Sequence, residues 1–207
     1  TALGARPAQL GASYAYDALF LAQDLFVERH SVSVIGALGW DDTNLTQLFT
    51  RMQDKDFQAG FPQTEDRDGK NYMFGFLHLF RFQQDKHLIK LGFQQDYEYT
   101  DGRNYSYHGQ RLQAGAMYTL PWASLRAKWD FDVHFRQYTN NNAILPTTRA
   151  DLIRRRDEEI NNVLRLELPL PHSFTLAGEY QLTHNKSNIQ VFDYSRSVVS
   201  LILSWSY

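Results

Sequence analysis

Asp130, Asp132 and His134 stand at alternate positions in one short segment, and Asp96 and Glu98 repeat that spacing in an earlier one. On a β-strand alternate side chains share a face, so each set would line one surface. A histidine beside carboxylates can act as a general base. The spacing argues against that chemistry here. Residues i and i+2 of one strand sit about 6.5–7 Å apart, too far for a direct hydrogen bond without cooperating rotamers. Asp96 and Glu98 would stand two strands away at a similar height. No protease or lipase motif accompanies these residues, and a charged strand face accounts for them without a reaction. No catalytic residue is assigned, and the chain is expected not to be an enzyme.

The elements that must hold these side chains are strands. From Ser124 to Gln137 the alternation is unbroken. Leu125, Ala127, Trp129, Phe131, Val133 and Phe135 take one side, while Ser124, Arg126, Lys128, Asp130, Asp132, His134 and Arg136 take the other. The same dyad recurs around Phe74 and Phe76, Leu91 and Phe93, Leu112 and Ala114, Leu164 and Leu166, and Leu176 and Tyr180. Period 2 is the signature of strands. A soluble sheet would not bury the charged side, because unpaired charge in a dry interior is costly. Nor would it leave the apolar side in water. A barrel in lipid satisfies both demands.

Strands are expected at 9–20, 27–40, 44–58, 71–84, 87–100, 105–120, 123–138, 156–170, 173–187 and 191–207. The fold class is therefore all-β: a transmembrane antiparallel up-and-down β-barrel, most simply of ten strands, as one domain spanning 1–207. The outward face of 45–56 is undecided and eight strands would result if that region is a loop; twelve is the other count left open. Short turns are expected at 41–44, 84–87, 120–123 and 169–173, with longer polar links at 60–71, 100–105, 138–156 and 185–190. That asymmetry matches periplasmic turns and outer loops.

Composition agrees. The 207 residues include 14 Phe, 12 Tyr and 4 Trp but no Cys, with a net charge of −2, and yet the mean hydropathy is negative. Near-neutral charge excludes a strongly basic nucleic-acid binder. Without cysteine there is no disulfide or thiolate metal site. No apolar run approaches the ~18 residues of a spanning helix, the longest being Val34 to Trp40. Thr1 to Leu10 has no basic start followed by an apolar core, so a leader or an upstream domain is expected before it.

The final strand places Val199, Leu201, Leu203, Trp205 and Tyr207 on one side. An aromatic last residue on an alternating strand resembles the signal that hands Gram-negative outer-membrane proteins to the barrel-assembly machinery, here Leu203, Trp205 and Tyr207. With the preceding Ser187-Asn-Ile-Gln-Val-Phe-Asp-Tyr-Ser-Arg196, this end is similar to the closing hairpin of barrels that follow tetratricopeptide repeats in export proteins, such as surface lipoprotein assembly modifiers. The resemblance covers about a tenth of the chain and carries no known functional residue. It implies the bacterial outer membrane, lipid and lipopolysaccharide as surroundings, and a periplasmic or secretion complex as partner. Ten-strand outer-membrane proteases resemble the expected architecture in strand count, and they use paired acids and a His–Asp couple at the outer rim.

On this facing the lumen would hold Lys90, Asp96, Glu98, Arg111, Arg126, Lys128, Asp130, Asp132, His134, Arg136, Arg165, Glu167, Glu179 and Arg196. In a barrel this small, opposite charges on neighbouring strands would pair and largely plug the bore. The alternatives are a narrow solute or ion path, tuned by charges such as Arg111 and Lys128, and a rim hydrolase built on His134. Smaller signals are expected to be structural. Asp66-Arg-Asp-Gly69 lacks the remaining ligands of a calcium loop. His78 interrupts an aromatic outward row. Arg154, Arg155 and Arg156 could meet lipopolysaccharide phosphates. Trp40, Tyr99, Tyr118, Trp122, Tyr138 and Trp205 are placed in an aromatic girdle. No cofactor or metal is implied.

Overall fold

The computed structural model describes residues 7–58, 60, 63–121, 124–143 and 153–205. Ten strands follow in order: β1 Ala8–Leu21, β2 Asp24–Gly39, β3 Asn44–Phe57, β4 Gly69–Phe82, β5 His87–Thr100, β6 Tyr107–Thr119, β7 Arg126–Asn141, β8 Arg154–Pro169, β9 Phe174–Ser187 and β10 Tyr194–Trp205. Each pairs antiparallel with its sequence neighbour, giving one up-and-down sheet ordered β1 to β10. Among the described residues β1 and β10 make no ladder with each other, so they are the two edges. The count of ten therefore stands, and 45–56 is a strand rather than a loop. Tyr207 and Trp122 lie outside the described residues.

Register settles the outward face of β3. Leu48 pairs with Phe76 and Met52 with Tyr72, so Leu48 and Met52 join the apolar row. Across the other end of the sheet, Ala116, Trp129, Leu164, Tyr180 and Val199 are successive partners on that same face. One residue along, Gly115 faces Asp130 on the opposite side.

Burial is inverted relative to a water-soluble domain. Leu10, Val199 and Leu201 are about four-fifths exposed, at 82%, 81% and 80%. The largest fully buried side chains are Asn104, Asn142, Asn185 and Thr183. The sheet curls with its charged face inward, since residues of β3, β5, β6, β7 and β8 line one cavity of about 340 Å³.

Turns and loops segregate by end. The β2–β3, β4–β5, β6–β7 and β8–β9 connections join strand ends at one end of the sheet, which we call the turn end. The β3–β4, β5–β6, β7–β8 and β9–β10 links join strand ends at the other, the loop end. The β1–β2 connection is the exception: Ala22 and Gln23 alone turn the chain at the loop end, both with positive φ (49° and 81°). That is the backbone of a tight hairpin turn.

Candidate functional site

The charged face carries a lattice of ion pairs, and its lower part sits near the turn end. Glu167, almost fully buried, accepts Lys128 Nζ at 2.7 Å and pairs with Arg165 at 2.9 Å and Arg126 at 3.2 Å. Arg165 reaches on to Glu179 at 3.4 Å. Three cations converge on one carboxylate because register sets Arg126 opposite Glu167 and Lys128 opposite Arg165.

Above this, contacts leap over whole strands. Lys90 of β5 pairs with Asp130 of β7 across Gly115 of β6. His134 of β7 meets Asp96 of β5 at 3.0 Å across Gly109. A Cβ at Gly109 would stand 2.5 Å from His134 Nε2 and 2.6 Å from Asp96 Oδ1, so the pair exists because position 109 has no side chain. Arg111 donates to His134 Nδ1 at 3.1 Å and lies 3.6 Å from Asp132. Guanidinium has no acceptor, so Nδ1 holds the lone pair and Nε2–H donates to Asp96. Both ring nitrogens are thus engaged in a residue only 3% exposed. The arrangement braces β5, β6 and β7.

Near the loop end, Lys55 Nζ donates to Glu98 at 2.7 Å, and Asn71 Nδ2 donates to the same carboxylate at 2.9 Å. Arg136 donates to Glu159 and to Asn185 Oδ1, each at 3.0 Å, and approaches Asp157 at 3.6 Å. Arg155 forks onto Asp157 and lies over the rings of Tyr138 and Phe192, 4.4 and 3.4 Å from their centres. Such stacking suits a planar, weakly hydrated guanidinium. Of these, Lys55, Glu98, Arg136, Tyr138, Arg155 and Phe192 line the 340 Å³ cavity, together with Phe57, Tyr105 and Tyr107 among others.

Loops cover that end. Asn104 hydrogen-bonds Glu65, and Tyr105 donates to Glu65 at 2.8 Å while accepting from Arg67 at 3.0 Å. Burial raises the Tyr105 hydroxyl above its ordinary range, and the Glu65 carboxylate adds to that. Asp66 Oδ1 accepts the Asp68 amide at 3.0 Å, and Asp68 in turn accepts the Phe57 amide at 2.5 Å. The Asp66–Gly69 segment is a polar turn tied to the end of β3. Burial also pushes the Asp68 carboxyl upward, against the Phe57 hydrogen bond.

Every residue assigned to the charged row lies on this one face, and all but Arg196 enter the lattice. Arg196 is exposed on the β10 edge. Single-strand spacing missed Lys55, Asn71, Arg155, Asp157, Glu159 and Asn185, which complete the loop-end cluster. Two placements are corrected. Tyr138 is no girdle residue: it faces inward and is 6% exposed, donating to Asp157 at 3.3 Å, because Phe135 and Gln137 take the outward parity. Arg155 is not offered to phosphates: β8 begins at Arg154, which turns 155 inward. His78 is satisfied in place by Thr46 Oγ1 at 2.8 Å, which also accepts Trp40 Nε1 at 2.7 Å.

No protein family model, curated protein or solved structure matches this chain. The functional reading therefore rests on geometry. Among the described residues no group of three or more His, Cys, Asp or Glu is placed to hold a metal ion.

Proposed function

We propose that this chain is a Gram-negative outer-membrane β-barrel, closed between β1 and β10, that serves as the membrane anchor or barrel subunit of a transport or secretion assembly. The observation that carries this reading is the division of faces: every strand gives large apolar side chains to one side, while the other side buries paired charges. In water the first face would aggregate. In hydrocarbon it is the only face tolerated, and the ladder satisfies the backbone. The ion-pair lattice then braces the lumen and fills much of it. The short turns would face the periplasm and the loops the exterior, where the exposed Arg154 and Arg156 would meet lipopolysaccharide phosphate. The barrel-assembly machinery would take the strand ending in Leu203, Trp205 and Tyr207.

The test is a pair of neighbours in β7. Phe131→Arg puts a charge on the outward face and should cost roughly 2–4 kcal/mol of membrane stability near the bilayer midplane. Asp130→Asn, pointing inward, should be tolerated better. Urea titration in lipid vesicles, followed by protease protection and heat-shifted migration, reads both. Equal losses would mean that the faces are assigned wrongly.

A further inference from the structure

The lattice occupies only part of the charged face. It ties β5 to β9 and reaches β3 at Lys55, whereas the middle of the β1–β3 side presents Ser13, Ser31, Ser33 and Gln53, small or uncharged groups around one cation. That cation is Arg51. Its register partners are Ser33 and Met73, neither of them charged. Among the described residues no carboxylate comes within ion-pair distance of it, and its Nε is buried without a hydrogen-bond partner. The nearby charges are spoken for: Arg29 faces Asp17 at 3.8 Å, and Lys55 holds Glu98.

Arg51 also lies between two hollows. The inward row of β3 runs Gln47, Phe49, Arg51, Gln53, Lys55. Gln47 lines a turn-end cavity of about 340 Å³ together with Gln9, Ala37 and Arg81. Lys55 lines the loop-end cavity of similar volume. Between them, Phe49 lies across Gly75 of β4, where a Cβ would meet its Cζ at 2.8 Å. From Gln47 to Lys55 the row spans roughly 26 Å, close to the height of an outer-membrane apolar band.

A guanidinium inside a barrel must be paired or wet, because isolating its charge in a dry interior is prohibitive. With no carboxylate in reach, Arg51 requires water, and water beside an unpaired cation admits anions. We propose that small inorganic anions cross this protein along the inward row of β3, drawn by Arg51 and narrowed by Phe49. This rests on the barrel reading above, and it puts the charge that selects on β3 rather than on the paired Arg111 or Lys128.

The test uses the refolded full chain in planar bilayers, with potassium chloride as the probe and an about tenfold gradient across the membrane. Discrete steps with a chloride-directed reversal potential are expected. Arg51→Gln should remove that preference and Arg51→Glu should reverse it, while Phe49→Ala should raise conductance severalfold. Each variant is first checked for heat-shifted migration and protease protection in vesicles. Failure of the parent protein on those checks sinks the barrel reading itself. A parent and a Phe49→Ala variant that pass them and stay silent overturn the path alone, as does a reversal potential that Arg51→Glu leaves unmoved.

Discussion

At the scale of single residues, glycine decides which charges can meet. The His134–Asp96 bond passes directly over Gly109, and the Lys90–Asp130 pair passes over Gly115. Adding one methyl group at 109 must displace a buried hydrogen bond whose partners have no water to turn to. Gly109→Ala should therefore destabilise the folded protein by about 1–3 kcal/mol, the usual cost of stranding buried polar groups. Gly11 is the internal control: it lies on the same face in β1, with nothing within 4 Å of an added Cβ. Equilibrium unfolding in urea should separate the two alanine variants clearly. Similar midpoints would remove the bracing role assigned to the His134–Asp96 bond.

At the scale of elements, the short turns are held by their own side chains. Asp41 accepts the Thr43 amide and hydroxyl, each at 2.7 Å, and the Asn44 amide at 2.8 Å. These donors, led by the Thr43 hydroxyl and the Asn44 side chain, lower the Asp41 carboxyl from 3.8 to about 2. A depressed carboxylate contributes stability at pH values above its unfolded pKa and loses it as pH falls through the folded one. The β2–β3 turn should accordingly loosen between about pH 4 and pH 2, seen as faster amide exchange at Thr43 and Asn44 relative to the rest of β3. Asp41→Asn should flatten that dependence. Elements of this kind were largely legible in the chain. Ser124 to Gln137 alternates cleanly because apolar and charged residues never share a row. The outward face of β3 was not legible, since Thr46, Thr50 and Asp54 dilute Leu48 and Met52; only register with Tyr72 and Phe76 resolves it. The lattice was half legible. Which residues face inward follows from parity, but the partner of His134 lies two strands away, and no one-strand spacing contains that distance. Tyr138 faces inward although it lies near a strand end, because parity along β7 and not height sets its face.

At the scale of the molecule, the proposed barrel requires its two edges, β1 and β10, to pair. A row of register partners that starts at Tyr14 passes Val32, Met52, Tyr72, Tyr97, His108, Gln137 and Arg156, and reaches Asn188 beyond the end of β9. Ten strands tilted by about 35–45° close with a stagger of roughly ten to fourteen residues. In the proposed barrel that stagger would bring Tyr14 opposite Leu201, Leu203 or Trp205, all on the apolar face. The chain has no cysteine, so the seam can be mapped cleanly. Tyr14→Cys should form an oxidative cross-link with cysteine at one of those three positions and with neither Ser200→Cys nor Ile202→Cys. If none of the three links, β1 and β10 are not each other's neighbours. The neighbour-only topology has a kinetic corollary as well. Each ladder joins strands that are neighbours in sequence, and closure entropy grows only slowly with loop length, so even the longer loop-end links cost little more than the short turns. The sheet can grow like a polymer, one hairpin templating the next, and the seam of the proposed barrel would be its termination step, the one contact that must wait for both ends of the chain.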